Sequence, residues 1–510
     1  MAVAAGIMLS RIAGFVRERA IAHYLGQGAA TGALRAATRI PNTLQNLFGE
    51  GVLSASFIPV YTRLRAEGKT EEAERVARAV GTLLALAASV IALLGVAFAG
   101  PLVDLLAPGF SGPTRDLTAQ LVRIMFPGLA LLVMSAWCLG VLNSHRRFFL
   151  PYASPVLWNA AQIAVAVAAG GWLATGDADV ALWIAWGFVI GSAAQLLVQV
   201  PAVMRLVRLL PRLQLDDGTR TTLRNFVPVF IGRGSAQISA YIDQILASYL
   251  GATIVAASFN AQTLYTLPVS LFGMSISAAE LPEMASSGGD QAARAEHVRK
   301  RLDGALRRVT FFVVPSAIAF VAIGGPIVAL LFQSGRFTDE DVRIVWIILA
   351  GSALGLVAST QGRVLASAFY ALEQPRIPLY AALVRFTLAA ALGIALVFPI
   401  RDAAGYSVAW AAFALTAASS AGAWVELLIL RAALARRIGG VPMPVGLTLV
   451  ALAAAAAAGA AGWGAGRVLD LHGWRAALVA IPTFGGVYFA AMGAAKVPEA
   501  RGVVRRILRR

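Results

Sequence analysis

The chain has 510 residues, of which 58% are hydrophobic and only 14% are charged, and this composition excludes a soluble protein, which at this length would need several domains covered by polar side chains. Its net charge of +17 comes from basic residues in loops between apolar runs, a distribution typical of membrane proteins rather than of proteins that bind nucleic acid. One cysteine and four histidines exclude a disulfide framework and argue against a Cys/His metal site, so we expect no bound metal.

Apolar runs long enough to cross the hydrocarbon layer of a bilayer recur along the whole chain. They predict an all-α polytopic membrane protein with about fourteen transmembrane helices. The candidate spans lie near residues 2–25, 28–61, 79–106, 118–142, 149–173, 180–204, 225–249, 252–284, 305–333, 342–370, 377–399, 404–430, 442–466 and 475–495.

Lysine and arginine are concentrated in alternate loops. Basic clusters follow spans two, four, six, eight and twelve, and another cluster closes the chain. The loops between them, such as 26–30, 175–179 and 251–253, are short and poor in basic residues. Because basic loops stay in the cytoplasm, we expect both termini to be cytoplasmic.

The sequence repeats itself at an interval of about 225 residues, or six spans. The sequence YLG at 24–26 returns at 249–251, and GPLVDLL at 100–106 returns as GPIVALL at 325–331. Six is even, so both copies enter the membrane in the same direction, as in transporters built from parallel repeats. We therefore predict an N-lobe over 1–213, a C-lobe over 214–438, and an appended pair of spans with a basic tail over 439–510. The alternative is a duplicated scaffold without a transport role.

The first copy carries ionisable residues at membrane depth. Arg11, Arg17 and Glu18 lie in span one, and Arg35 and Arg39 lie one helical turn apart in span two. Such residues are costly in a membrane and usually face a partner or a water-filled cavity. A cavity with surplus arginine suits an anionic substrate, above all a phosphate. The alternative is that the arginines reach the membrane interface or pair with the nearby glutamates.

These residues lie in stretches that resemble a known family. Residues 10–18, SRIAGFVRE, are similar to the opening motif of the MurJ/MviN family of lipid II flippases. IPN at 40–42, LFGEG at 47–51 and SASFIPV at 54–60 resemble the second span of that family. LNS at 142–144 resembles its span-four to span-five corner, and FYAL at 369–372 the equivalent corner of the second copy. The resemblance covers essentially the whole chain.

The resemblance implies a member of the multidrug/oligosaccharidyl-lipid/polysaccharide exporter superfamily in the bacterial cytoplasmic (inner) membrane. Such a protein moves lipid II, the lipid-linked peptidoglycan precursor, to the outer leaflet by alternating access. The cavity arginines of the family correspond to Arg11 and Arg17, its basic residue before Pro-Asn to Arg39, and its acidic residue in the Glu-Gly motif to Glu50. The implied partners are lipid II or another anionic polyprenyl-pyrophosphate glycolipid, membrane lipids and proteins of cell-wall synthesis.

The chain departs from the family pattern in the second copy. The Asp-Arg pair of span eight falls at Gln262 and Thr263. Arg233, on span seven, is a basic residue that the family does not share, and we expect it to replace the lost arginine and face the central cavity. Asp243, on the same span, is the candidate remnant of a cation site described for some members.

We therefore expect a flippase for lipid II, in which Arg11, Arg17, Arg39 and Arg233 hold the pyrophosphate. No enzyme signature or ATP-binding loop is present, so we expect no catalytic residues and no cofactor, with coupling to the membrane potential or to a monovalent cation. Three alternatives stay open: a flippase for another polyprenyl-linked oligosaccharide, a cation-coupled drug exporter of the same superfamily, and a non-transporting pseudo-flippase that serves as a scaffold.

Overall fold

The computed structural model describes residues 2–48, 50–174, 176–286, 291–402 and 408–502, with the backbone alone for 2–5, 46, 50, 231–240, 291 and 292. Nearly all of these residues are helical, and none of those described lies in a β-strand. The predicted all-α class is confirmed.

Ten helices in the described part of the chain are long and apolar enough to span a membrane. A pair of helices bent by 44°, Asp339–Ala353 and Leu356–Ala371, makes eleven when it is counted as one span. The prediction of a polytopic membrane protein is confirmed. Three predicted regions, 2–25, 28–61 and 225–249, are not among these helices, although the chain is helical there. The count of fourteen stays a prediction.

The described residues divide by packing into two units, which are Met1–Ala256 with Ser334–Phe337, and Ala257–Gln333 with Thr338–Arg510. This division places span seven in the first unit. The lobe boundaries at 213/214 and 438/439 follow the sequence repeat and stay predictions. The first unit contains the helices α1 Ala2–Leu25, α2 Ala29–Phe48, α3 Glu50–Ala66, α4 Thr70–Ala97, α5 Ala99–Leu106, α6 Gly112–Ser144, α7 Phe149–Ala153, α8 Pro155–Ala168, α9 Asp177–Leu197, α10 Val200–Met204 and α11 Asp217–Tyr249.

The core of the first unit forms around α6, which packs against α2, α3, α4 and α9. Its buried face carries Leu121, Val122, Val141 and Leu142, all of them fully enclosed. The predicted single span over 28–61 consists of the two helices α2 and α3. A run of 34 residues is much longer than the 20 or so that one crossing requires. The first helix, α1, packs mainly on α7 and α8.

The second unit contains most of α12 and all of α13 to α21. A π-helical turn, Val269–Met274, joins α12 to α13. The helices are α12 Ala252–Pro268, α13 Ser275–Ala285, α14 Gln291–Ala322, α15 Gly324–Phe332, α16 Asp339–Ala353, α17 Leu356–Ala371, α18 Arg376–Asp402, α19 Val408–Ile438, α20 Val445–Val468 and α21 Gly473–Ala494.

The appended helices α20 and α21 pack on each other and on α14 and α15. Their alanine and glycine residues allow the backbones to approach closely, since a Cβ atom on Gly462 would lie 2.8 Å from the carbonyl oxygen of Ala480. The hydroxyl of Tyr488 donates a hydrogen bond of 2.7 Å to the carbonyl oxygen of Phe311. The glycine and alanine of these spans therefore serve helix packing.

Candidate substrate-binding site

The charged residues of α1 lie in different environments. Arg11 is exposed, Arg17 has 15% of its side chain exposed, and Glu18 has 5% exposed. Because Arg17 and Glu18 are neighbours in sequence, their side chains leave the helix about 100° apart. They nevertheless bend toward each other, with Arg17 Nε 3.1 Å from Glu18 Oε1.

Glu18 holds two arginines from two helices. Its Oε1 accepts hydrogen bonds from Arg17, and its Oε2 forms an ion pair of 2.5 Å with Nη2 of Arg35 on α2. The Arg35 side chain is only 4% exposed. We call Arg17, Glu18 and Arg35 the buried ion triad. One carboxylate faces two guanidinium groups, so the triad carries one net positive charge.

The predicted arginines differ in whether they belong to the triad. The sequence left open whether they line a cavity or pair with a glutamate, and Arg17 and Arg35 do pair with Glu18. Arg35 is almost fully enclosed, whereas Arg17 keeps an exposed edge. Whether either contacts a substrate stays a prediction. Arg11 is exposed on the same helix. The structure thus brings together Arg17, Glu18 and Arg35, with Arg11 about two turns before Arg17 on α1.

An aromatic side chain completes the surroundings of Arg17. The guanidinium carbon lies 4.6 Å from the ring centroid of Trp158 on α8. Sequence reasoning missed Trp158, because 141 residues separate it from Arg17 and an aromatic residue in an apolar span has no distinctive signal. Asn159, the next residue, donates a long hydrogen bond of 3.4 Å to the carbonyl oxygen of Ser10, which ties α8 to α1.

A second polar cluster joins α2 to α11 within the first unit. Arg39 interacts electrostatically with Asp243, and Tyr241 shares a hydrogen bond with Thr43. Asp243 was predicted to bind a cation, and it interacts with Arg39, a predicted substrate arginine. Whether it also holds a cation stays a prediction. Arg233 and Glu50 lie on α11 and α3, but their side chains fall outside the described residues.

The second unit has ionisable residues at membrane depth that sequence reasoning did not select. Arg363 is exposed although it lies in the middle of α17, and the described residues offer it no ion pair. Arg385 on α18 pairs with Glu426 on α19 at 2.8 Å. In the sequence, Arg363 and the Arg385–Glu426 pair are visible as charged residues inside apolar runs. The predicted span-eight position Thr263 carries no charge, and its hydroxyl donates to the carbonyl oxygen of Phe259 on its own helix.

The family profile described as lipid II flippase MurJ matches residues 21–475. The lipid II flippase MurJ of Burkholderia cenocepacia is 30% identical over 381 residues, which are 73% of this chain and 72% of that protein. The probable lipid II flippase MurJ of Bdellovibrio bacteriovorus is 32% identical over 392 residues, 75% of this chain and 73% of that protein. These matches extend over both sequence copies.

Solved structures agree in fold. A lipid II flippase MurJ in an inward closed conformation superposes with a TM-score of 0.78 at 21% identity, covering 100% of this chain and 99% of that one. An inward-facing multidrug resistance MATE family transporter of the MOP superfamily gives a TM-score of 0.67 at 16% identity, covering 84% and 94%. The fold is therefore that of the superfamily which the sequence resemblance implied. From the profile and the relatives together, the chain belongs to the MurJ family of lipid II flippases.

Proposed function

We propose that the protein moves lipid II from the inner to the outer leaflet of the bacterial inner membrane by alternating access. The observation that carries this proposal is the buried ion triad beside the exposed Arg11. Together Arg11 and the triad place three arginines and one glutamate on α1 and α2, which leaves a surplus of two positive charges among these four residues. A guanidinium group binds phosphate oxygens through two parallel N–H groups, and a diphosphate offers such oxygens.

Within this proposal the residues have distinct roles. Arg11 and the exposed edge of Arg17 contact the diphosphate, while Glu18 and Arg35 hold Arg17 in place. Arg39 contacts the diphosphate once its interaction with Asp243 is broken. Arg233, whose side chain falls outside the described residues, is expected to add positive charge. The undecaprenyl tail stays in lipid, because its transfer to water would cost about 0.8 kcal/mol for each CH₂.

We propose that the membrane potential or a monovalent cation drives the return of the protein to its starting conformation after each transport step. A site with surplus arginine carries charge across the membrane when it changes sides, so the potential acts on it directly. Asp243 interacts with the substrate arginine Arg39, which makes it the candidate for cation coupling. We place both termini in the cytoplasm, as the basic loops predict. Proteins of cell-wall synthesis are the expected partners.

A flippase for another polyprenyl-linked glycan is the second candidate. It is favoured by one observation, the uncharged side chains of Gln262, Thr263 and Thr266 on α12, which bond to one another or to their own helix. A different glycan would need different contacts on this helix while keeping the diphosphate contacts of the first unit. A drug exporter would need an acidic site, and the surplus of arginine argues against it.

The test is complementation of a strain depleted of its own lipid II flippase. We expect the wild-type chain to restore growth and Arg17→Met to fail at equal membrane abundance. Lipid II translocation in proteoliposomes then separates the two candidates. Complementation without any translocation of lipid II, or translocation of only a different polyprenyl-linked glycan, would contradict the proposal.

A further inference from the structure

Two residues of α9 fix the position of the Trp158 ring. Phe188 on α9 meets the indole edge to face, with ring centroids 5.5 Å apart and planes at 79°. Gly191, one turn further along α9, makes room for it, because a Cβ atom there would lie 2.8 Å from the Trp158 carbonyl oxygen and 2.9 Å from its Cδ1. The indole therefore cannot move toward α9, and its face is held toward α1.

The Arg17 guanidinium is constrained on two sides. Its central carbon lies over the Trp158 ring, 4.6 Å from the ring centroid. The Nε edge is occupied by Glu18, which accepts hydrogen bonds from both Nε and Nη2. Glu18 cannot turn away, because Arg35 binds its second oxygen. Among the described residues, none accepts a hydrogen bond from Nη1 of Arg17. The terminal edge of the guanidinium, made by Nη1 and the second N–H of Nη2, is thus the part left for a ligand.

We propose that Trp158 is a positioning residue that sets the plane of the Arg17 guanidinium and presents its terminal edge to the diphosphate of the substrate. This inference rests on the proposed function. Hydrogen bonds to Glu18 fix one edge of the group but leave it free to rotate about the line to that carboxylate. Stacking on a flat ring removes the rotation. A guanidinium held in this way loses less conformational entropy when it binds an anion, which strengthens binding.

The arrangement is specific for arginine on an aromatic ring. A cation held over an aromatic face in a desolvated site is attracted by the negative face of the ring, most strongly with tryptophan. Lysine at position 17 would keep the charge but offer neither a plane to stack nor a fork to bind two oxygens. Phenylalanine at position 158 would keep a face of smaller area, whereas leucine would keep apolar contact alone.

The test is a double-mutant cycle on the binding of lipid II to the purified full-length chain in nanodiscs. We expect Trp158→Leu to weaken binding about five- to tenfold and Trp158→Phe to stay within about threefold of the wild type. In an Arg17→Met background, Trp158→Leu should have no further effect, because the residue it positions is gone. Trp186→Leu on α9, where the tryptophan is 50% exposed, is the matched control and should leave binding unchanged.

Three outcomes would overturn the inference. If Trp158→Leu weakens binding equally with and without Arg17, its role is merely structural. If Arg17→Met abolishes binding and Trp158→Leu leaves it unchanged, Trp158 positions nothing, and the proposed function stands. If Arg17→Met itself leaves binding unchanged, the proposed role of Arg17 fails and the inference fails with it. Trp158→Met, whose longer and unbranched side chain adapts better to the space left by the indole, replaces the leucine variant if that variant does not fold.

Discussion

Arg385 and Glu426 form an ion pair between α18 and α19, with 2.8 Å between Arg385 Nη1 and Glu426 Oε2. Gly422, one turn before Glu426, lets the two helices approach, since a Cβ atom there would lie 2.8 Å from the Arg385 carbonyl oxygen. Only 28% of the arginine and 16% of the glutamate side chain is exposed. The pair therefore ties two apolar helices of the second unit together.

We predict that Glu426→Gln destabilises the protein, because it leaves the Arg385 charge without its partner in an apolar setting. The cost should be on the order of 3 kcal/mol. The double variant Arg385→Met with Glu426→Met should recover most of the loss, since it removes both charges. Unfolding of the purified protein by SDS titration measures this. Equal stability of the Glu426→Gln variant and the wild type would show that the pair contributes nothing.

We predict that lysine replaces Arg11 better than Arg17. Arg11 is exposed, so an ammonium group can still reach the diphosphate. Arg17 stacks on Trp158 and bonds to Glu18 in a planar geometry that lysine cannot reproduce. Transport in proteoliposomes should be about tenfold lower for Arg17→Lys than for Arg11→Lys. Full activity of both alanine variants would instead mean that these arginines reach the membrane interface and do not bind substrate.

We predict that Arg363→Gln lowers transport without destabilising the protein. Its side chain is exposed on a helix that is otherwise mostly buried, and no described residue forms an ion pair with it. Removing it should therefore leave folding intact, so that a loss of transport reports on the Arg363 charge itself. Arg343→Gln is the matched control, because Arg343 is 61% exposed and pairs with Glu340 at the start of α16. Equal transport by the two variants would show that the Arg363 charge takes no part in transport.

We predict that His145 makes stability depend on pH below neutrality. It follows the last residue of α6, and Tyr61 Oη lies 3.0 Å from its Nε2. Burial, with the nearby charges of Arg65 and Arg147, lowers the pKa of His145 from 6.5 to about 4. Between these values the unfolded chain binds more protons than the folded one. Stability should therefore rise with pH from about 4 to 6.5 and be constant above that range.

The comparison that isolates this effect is His145→Gln, which keeps a hydrogen-bonding group near Tyr61 but cannot titrate. The difference in melting temperature between the variant and the wild type should change between pH 4 and 6.5 and be constant at higher pH. A difference that is the same at every pH would show that His145 has no shifted pKa in the folded protein.

We predict that Lys69 and Arg299 lie on the cytoplasmic side and Gly176 on the outer side. Lys69 and Arg299 have side chains 55% and 46% exposed, so a cysteine at either position is accessible once a reagent reaches that side. A reagent that does not cross the membrane should label Gly176→Cys in whole cells and should label the other two only after permeabilisation. The reverse pattern would overturn the topology.

The sequence predicted the helical class because long apolar runs leave few alternatives. It located the site less completely, and the reason is packing. Arg35 and Arg39 share one stripe of α2, and their spacing suggested a common role. In the structure, Arg35 turns to Glu18 on α1 and Arg39 interacts with Asp243 on α11. The partner of an arginine depends on which helix lies beside it. The spacing of residues along one helix does not show which helix that is.

The helices that carry the predicted site residues are also the hardest to recognise as membrane spans. The predicted regions that do not qualify as spans by apolarity are those over α1, α2 with α3, and α11, which carry every predicted site residue. Charged residues lower the mean hydropathy of the helix that bears them. A search for spans therefore finds the other helices most readily, while the helices that carry the predicted site residues give the weakest signal.

The contact between α1 and α8 has a consequence for synthesis of the protein. α1 leaves the ribosome with Arg11, Arg17 and Glu18 exposed, and Trp158 follows some 140 residues later. Until α8 is made, the first helix has neither its aromatic partner nor enough apolar surface to remain in lipid unaided. We therefore expect nascent chains shorter than α8 to stay bound at the insertion machinery, and ribosome-stalled intermediates to cross-link to it until α8 has emerged from the ribosome.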